Sequence, residues 1–376
     1  MDILFLTVAI GGGHLKACQA VKEAVEQKYP GARTMIVDAL KYANPVIDKL
    51  VIEGYLKAVR KRPAIYGKIY ELTETDSNIF DLSSAINKLM SFRINGLIKS
   101  FNPSAIVCTH PFALQMVSNL KKKNKVNVPA VSILTDYAVH TFWMDENIDA
   151  YVVAHEHMRQ DMIEKGIPEN NVHAYGIPVC NGFLIRRDKQ IARRELGLCE
   201  DKLTVLLMGG SLGFGQIGKV FKALIKSNRD LQIIVVTGTN KKLKAELDAY
   251  AQNKDKKTVI FSYTDKIPVL MDACDLIITK PGGMTITEAL AKELPILVIS
   301  PIPGHEEKNA SFLVDSGAAI RVYENDNIEK LISQIVDDTL TFSQMKQKAG
   351  YLSKPDSAQK IVALLERLVV KLQGVC

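Results

Sequence analysis

The amino-acid sequence predicts an α/β fold built from two doubly wound, Rossmann-like domains that face a cleft. Three observations predict it. Short apolar runs alternate with helix-forming stretches, this alternating series begins twice along the chain, and glycine-rich segments follow several of the apolar runs. The chain has 376 residues, which is enough for two domains that each bury a core of their own.

The first domain is predicted to cover residues 1–178. We expect its strands at residues 2–8, 34–38, 106–109, 130–134 and 150–154. Polar segments follow several of these strands, namely Thr109-His110-Pro111, Thr135-Asp136-Tyr137 and His155-Glu156. Because ligands of open α/β sheets bind outside the carboxyl ends of the strands, these segments are expected to line one crevice.

The segment Gly11-Gly12-Gly13-His14 joins the first strand to a helix that is predicted to end near Tyr29. Glycines allow a ligand to approach the backbone closely, and a helix N-terminus lowers the pKa of an imidazole in its first turn. His14 is therefore a candidate general base, and Asp136 is a second candidate for acid–base chemistry. The alternatives are a structural role for His14 and a capping or salt-bridge role for Asp136.

The second domain is predicted to cover residues 179–355. Its strands are expected at residues 203–208, 231–237, 259–261, 276–279, 296–300 and 319–322. The polar, basic stretch 181–194 is interpreted as a connection between the domains. Residues 356–376 contain an amphipathic helix, predicted over residues 357–372, that is expected to pack back on the first domain.

The segment Lys280-Pro281-Gly282-Gly283 joins a buried strand of this domain to a helix over residues 285–292. The free N–H groups at the start of a helix attract anions, so the glycine pair is a candidate phosphate site. Gly209-Gly210-Ser211 follows another strand and would add phosphate donors. Glu288 suits a ribose diol, which offers two donors. An ordinary connection between a strand and a helix is the alternative interpretation.

Composition limits the classes of function. The chain is 47% hydrophobic and 24% charged, with no apolar run long enough to span a bilayer and no signal-peptide pattern at its start. We therefore expect a cytoplasmic protein. Its six cysteines are scattered without the spacing of a metal site.

The net charge of +7 is unevenly distributed. Between Lys41 and Lys125 there are fourteen Lys or Arg against six Asp or Glu, interleaved with apolar and aromatic residues. Arg60-Lys61-Arg62 belongs to this basic region. The mixture predicts peripheral association with an anionic membrane surface at the inner face of the cell membrane, and not with nucleic acid, because no nucleic-acid module accompanies it. Core-facing helices with basic outer faces are the alternative.

Together these segments resemble the GT-B glycosyltransferases of the monogalactosyldiacylglycerol synthase and processive diacylglycerol glucosyltransferase group. The resemblance extends over nearly the whole chain. It depends on Gly11-Gly12-Gly13-His14, Thr135-Asp136-Tyr137 with Trp143 and Glu146-Asn147, Gly176-Ile177-Pro178, Gly238-Thr239-Asn240-Lys241, Lys280 to Leu290, and Pro303-Gly304-His305-Glu306 through Asn309-Ala310.

The resemblance implies that the second domain binds a UDP-sugar and that the first domain faces a lipid acceptor. Tyr263 and Thr264 would contact uracil, Glu288 the ribose, and His305 with Glu306 the sugar hydroxyls. The implied donor-binding set is Gly12, Gly13, Gly210, Ser211, Tyr263, Thr264, Pro281, Gly282, Gly283, Thr285, Glu288, His305, Glu306 and Asn309.

The implied reaction is inverting transfer of a hexose to a membrane lipid hydroxyl, with diacylglycerol as the expected acceptor and His14 or Asp136 as the catalytic base. Neither a metal nor another cofactor is implied as a requirement, although Mg²⁺ could accompany UDP. A soluble UDP-sugar enzyme of the same fold, such as a UDP-N-acetylglucosamine 2-epimerase, and a non-catalytic nucleotide-binding protein are the alternatives.

Two positions depart from the pattern of the group. His305 stands where glutamine is frequent, and Cys180 stands where an arginine that would contact phosphate is frequent. Arg186 and Arg187 are the candidate replacements for that arginine.

Overall fold

The computed structural model of the protein describes residues 1–61, 63–75, 90–213, 215–252, 254–372 and 374. The chain divides into two units. The N-unit consists of residues 1–180, 302–305 and 354–376, and the C-unit of residues 181–301 and 306–353. Part of the predicted basic region lies outside the described residues. It comprises Arg62, residues 76–89 and the side chains of Arg60, Lys61 and residues 63, 69 and 73–75.

The N-unit contains a parallel six-stranded sheet with the order β2-β1-β3-β4-β5-β6. The strands are β1 Ile3–Thr7, β2 Thr34–Asp38, β3 Ala105–Cys108, β4 Ala130–Ile133, β5 Ala150–Val152 and β6 Val172–His173. Strands β1, β3, β4 and β5 are buried along their whole length, as expected for parallel strands that are covered on both faces. The two-residue strand β6 is not predicted by the sequence, because a pattern needs more residues than that to show.

Seven helices and two short 3₁₀ turns connect these strands within the described residues. The helices are α1 Gly13–Lys28, α2 Ala39–Ala43, α3 Pro45–Lys61, α4 Pro63–Thr75, α5 at residues 90–101, α6 Pro111–Lys122 and α7 Glu156–Glu164, and the turns are Thr141–Trp143 and Glu169–Asn171. None of the helices in the described part of the chain combines the length and the apolarity that a bilayer crossing requires.

The C-unit contains a second parallel six-stranded sheet, with the order β12-β11-β10-β7-β8-β9. Its strands are β7 Leu203–Met208, β8 Leu231–Val236, β9 Thr258–Phe261, β10 Leu276–Thr279, β11 Ile296–Val298 and β12 Ala319–Arg321. The helices of this half of the chain are α8 Asn181–Leu184, α9 Lys189–Glu195, α10 Ile217–Lys226, α11 Lys241–Ala251, α12 Ile267–Ala273, α13 Gly283–Ala291, α14 His305–Asp315, α15 Ile328–Asp337 and α16 Thr339–Leu352. The predicted α/β class with two doubly wound sheets is thus confirmed.

The stretch 181–194 differs from its prediction as a connection, because it contains α8 and most of α9. Asp188 caps α9 by accepting a hydrogen bond of 3.0 Å from Ile191 N. Arg193 is only 4% exposed, and its guanidinium donates to Ala273 O at 2.9 Å and to the Asp275 carboxylate at 2.6 Å. One of the basic residues of this stretch, Arg193, therefore forms a buried ion pair within the C-unit.

Helix α17, Ser357–Leu372, belongs to the N-unit. Ile361 and Leu365 of this helix lie in the same core cluster as Phe5 and Val107 of the N-unit sheet. Ser357 Oγ also donates a hydrogen bond of 2.7 Å to Gly176 O. The helix therefore completes the N-unit core.

Each sheet reverses its strand order once. In the N-unit the chain proceeds from β1 to β2 and then adds β3 on the other side of β1, and in the C-unit it proceeds from β7 through β9 and then adds β10 on the other side of β7. Ligands of such sheets bind outside the carboxyl ends of the strands at this switch point. The functional residues are therefore expected beyond β1 and β3 and beyond β7 and β10.

Candidate active site

At the switch point of the N-unit, the loop after β1 carries His14 into the first turn of α1. Gly12 is the N-cap of this helix and Gly13 its first residue, so no side chain caps it. The Nδ1 atom of His14 lies 2.8 Å from Oγ1 of Thr135, which follows β4. The ring of His110 packs edge-on at 4.7 Å between centroids. The imidazole of His14 is thus held in one orientation.

Burial lowers the pKa of His14 below its ordinary value of 6.5. The negative charge of Asp136 and a hydrogen bond with the main chain of Thr109 oppose this shift, and a positive charge on His305 would add to it. His14 is therefore neutral at pH 7 and chemically able to accept a proton. The two predicted acid–base candidates therefore interact electrostatically, because the charge of Asp136 acts on His14.

Three polar residues of the N-unit have roles that the sequence does not reveal. Thr135 is a partner of His14 although 121 positions separate the two. His110 Nδ1 accepts from Phe112 N at 3.2 Å and caps α6, and burial holds the pKa of His110 well below its usual range. His140 caps the turn at Thr141–Trp143 in the same way. Histidine is not among the preferred capping residues, so sequence preference does not indicate these caps.

In the C-unit, the loop after β7 is held by the loop after β8. Thr239 N donates to Ser211 O at 2.9 Å. Gly213 and Gly238 both have positive φ, and a Cβ atom would lie 2.1 Å from Thr237 O at the first and 2.3 Å from Ser211 O at the second. Glycine is required at both positions, because any side chain would separate the loops. The loops therefore fix the positions of Gly210 and Ser211.

The loop after β10 leads directly into α13, which begins at Gly283. Its N-cap, Gly282, has no side chain that could bond the first N–H groups of the helix. These groups are a favourable position for an anion. Thr285 is half-buried and Glu288 is buried in the first two turns of the same helix.

Buried polar side chains surround this loop. Asn309, which is fully buried, donates from Nδ2 to Pro281 O at 2.9 Å. Glu306 Oε1 lies 3.2 Å from Lys280 Nζ, and it would be 3.9 Å from a Cβ atom at Gly282. The structure therefore brings Pro281, Gly282, Glu306 and Asn309 of the predicted donor set together.

Gly283, Thr285 and Glu288 lie on α13 directly after this loop, whereas the other members of the predicted donor set lie elsewhere. Tyr263 is exposed and follows β9 together with Thr264, at the sheet edge and two strands, about 10 Å, from β7. His305 belongs to the N-unit, where its Nδ1 lies 3.5 Å from the hydroxyl of Tyr66 in α4. Over the described ranges of the chain, no group of three or more His, Cys, Asp or Glu is arranged to hold a metal ion.

Cys180 stands where the family pattern has an arginine, and Arg186 and Arg187 are the candidate replacements for it. Both form ion pairs within the C-unit. Arg186 makes a two-point contact with the Glu293 carboxylate at 2.9 and 2.5 Å. Arg187 lies 3.6 Å from Asp272. These ion pairs hold the two arginines on carboxylates of their own unit.

Both halves of the chain are similar to known proteins. Residues 14–179 match the model of the monogalactosyldiacylglycerol (MGDG) synthase family, and residues 204–361 match the glycosyltransferase family 28 C-terminal domain. The chain is 28% identical over 364 residues to a protein of Bacillus thuringiensis (strain Al Hakam) named processive diacylglycerol beta-glucosyltransferase, covering 96% of this chain and 92% of the relative.

Two solved structures illustrate the fold. Acinetobacter baumannii MurG superposes with a TM-score of 0.64 at 16% identity, covering 97% of this chain and 99% of that one. UDP-GlcNAc 2-epimerase from Neisseria meningitidis, bound to UDP-GlcNAc, superposes with a TM-score of 0.62 at 12% identity, covering 98% and 100%. Proteins with different names therefore share this fold, and the fold alone does not identify a reaction.

Proposed function

Because the chain belongs to the GT-B glycosyltransferases of the monogalactosyldiacylglycerol synthase and processive diacylglycerol glucosyltransferase group, we propose that it moves a hexose from a UDP-sugar to a hydroxyl of diacylglycerol, with inversion at the anomeric carbon. The observation that carries the proposal is the similarity over 364 residues to a processive diacylglycerol beta-glucosyltransferase, which covers both halves of the chain.

The C-unit provides groups that suit each part of a UDP-sugar. The uncapped start of α13 suits the diphosphate, and the carboxylate of Glu288 suits the ribose diol. Glu306 suits the sugar hydroxyls, which donate to a carboxylate. We assign Tyr263 and Thr264, beyond β9, to the uracil.

In the proposed reaction, His14 takes the proton of the acceptor hydroxyl as its oxygen attacks the anomeric carbon. A carbon–oxygen bond forms on one face of the sugar, and the bond to UDP breaks on the opposite face with its electron pair leaving on UDP. The first N–H groups of α13 stabilise the charge that develops there. The proposal requires neither a metal ion nor an organic cofactor, and Mg²⁺ bound to UDP is compatible with it.

The proposed acceptor requires access to a membrane, and the N-unit offers exposed apolar side chains for it. Val46 and Leu50, one turn apart on α3, are 69% and 67% exposed. Phe92 on α5 is exposed as well, and Lys49 and Lys57 lie on α3, where each Nζ atom is 3.9 Å from the carboxylate of Glu53. Apolar residues among lysines suit an anionic bilayer, so we place the protein at the cytoplasmic face of the cell membrane.

Radiolabelled donors test the proposed reaction. The protein is incubated with UDP-glucose, UDP-galactose or UDP-N-acetylglucosamine and with diacylglycerol in phosphatidylglycerol vesicles, and the lipids are then extracted. We expect label in the lipid phase with one of these donors, with the anomeric configuration opposite to that of the donor. Absence of label with all three, together with turnover of UDP-N-acetylglucosamine in lipid-free buffer, would identify an epimerase.

The membrane contact is tested by replacing Val46 and Leu50 with serine. Losing two shallowly inserted apolar side chains should lower partition into phosphatidylglycerol vesicles by roughly 10-fold, without changing UDP affinity. Vesicle co-sedimentation and calorimetry measure the two quantities. Leu340→Ser is the matched control, because Leu340 on α16 is equally exposed at 66% and lies in the C-unit. Equal sedimentation of the double variant and the parent would refute this contact surface.

A further inference from the structure

We propose that Lys280 binds the diphosphate of the donor, and that its ammonium moves from Glu306 to the phosphates when the donor arrives. This inference rests on the UDP-sugar function proposed above and adds a second binding residue for the leaving group. It also assigns Glu306 a different partner in each state, the lysine before binding and sugar hydroxyls after it.

The first argument is the position of Lys280. It immediately precedes the loop that starts α13, and its Nζ atom lies 3.2 Å from Glu306 Oε1. Its stem passes the loop after β7, since a Cβ atom at Gly215 would be 3.4 Å from Lys280 Cδ. A Cβ atom at Gly282 would be 3.9 Å from Glu306 Oε1. The ion pair therefore lies where both glycine loops of the switch point approach each other.

The second argument is the burial of the pair. Lys280 is 8% exposed and Glu306 is 6% exposed. The free energy needed to remove two charges from water offsets most of the attraction between them, so a buried ion pair contributes little net stability. An ammonium beside an uncapped helix start adds to a field that already favours an anion. A diphosphate carries more negative charge than one carboxylate, and it can therefore compete for this ammonium.

The third argument is the lack of the arginine that the family pattern predicts. Cys180 occupies that position, and Arg186 and Arg187 are held by Glu293 and Asp272. Lys280 supplies a positive charge at the loop itself. When it turns to the phosphates, Glu306 remains satisfied, because sugar hydroxyls donate to a carboxylate.

Calorimetry with UDP and with uridine tests the inference, since only UDP carries the diphosphate. We expect Lys280→Met to weaken UDP binding by about 10- to 100-fold, the range for a lost hydrogen bond to a charged group, and to leave uridine binding unchanged. Glu288→Ala provides the contrast, because a lost ribose contact lowers both affinities alike. Thermal unfolding monitors folding of each variant.

Lys280→Met alone removes the lysine partner of the buried Glu306 carboxylate, which is expected to destabilise the C-unit. The double variant Lys280→Met/Glu306→Leu removes that problem by replacing the pair with apolar residues. It too should lose most of the preference for UDP over uridine. If it keeps the preference of the parent, Lys280 is only the partner of Glu306 and the inference is overturned. A parent that binds UDP no better than uridine would instead refute the proposed donor, and the inference with it.

Discussion

The His14→Ala variant is expected to lose roughly 10²- to 10⁴-fold in kcat while its affinity for UDP stays nearly the same. The imidazole is oriented by Thr135 and kept neutral by burial, as a base for the acceptor hydroxyl requires. The groups proposed to hold UDP lie in the C-unit and do not include it. Steady-state rates with diacylglycerol vesicles and calorimetry with UDP measure the two quantities.

The pH profile separates His14 from Asp136 as the base. Because burial lowers the pKa of His14, its neutral form persists below pH 6.5, and kcat/KM should decline only as the pH falls through that lowered pKa. The charge of Asp136 raises the pKa of His14, so Asp136→Asn should move this decline to still lower pH. If Asp136→Asn is inactive and His14→Ala retains most of its rate, the two roles must be exchanged.

The Arg193→Met variant is expected to lower the free energy of unfolding of the C-unit by about 3 to 5 kcal/mol. The substitution removes the hydrogen bonds of the guanidinium to Ala273 O and Asp275. The carboxylate of Asp275 keeps its contacts with Lys189 Nζ and Thr204 N, at 2.7 and 2.8 Å. Urea unfolding measures the loss. The N-unit and the C-unit are followed separately, since a two-unit chain need not unfold in one step.

The adjacent residue provides the control for this experiment. Arg194 has the same charge, but its side chain is 58% exposed and pairs with Glu200 at 3.0 Å. An exposed ion pair contributes at most about 1 kcal/mol, so Arg194→Met should unfold almost like the parent. Equal losses in the two variants would mean that the burial of Arg193 has no special effect on stability.

These residues also show what can be predicted from the sequence and what cannot. Strands such as β1 and β10 are apolar at nearly every position because they are buried on both faces, and that signal is local. The glycine loops are predictable for the same reason, since each is a short segment between a strand and a helix. The buried contact of α9 is made by Arg193, which is one of several basic residues in its stretch. Because a polar, basic composition is typical of a connection between domains, the sequence does not predict this contact.

The candidate site is predictable in its loops and not in its pairings. His14 and Thr135 are 121 positions apart, and Lys280 and Glu306 are joined only when β10 and α14 are placed in the same unit. The order of the strands in each sheet brings such residues together, and this order cannot be read from a local sequence pattern. The role of Thr239 in supporting Ser211 is hidden in the same way.

The return of α17 to the N-unit has a consequence during synthesis of the protein. The residues that complete the N-unit core, including Ile361 and Leu365, leave the ribosome only after the C-unit residues between 181 and 353. Translation proceeds at about 5–20 residues per second, so synthesis of these residues takes roughly 9 to 35 s. During that time the apolar surface of the N-unit that α17 later covers is exposed. The whole sequence of the C-unit has been synthesised by then. The order of translation therefore favours completion of the C-unit first and leaves the nascent N-unit as the half more exposed to chaperones and to aggregation.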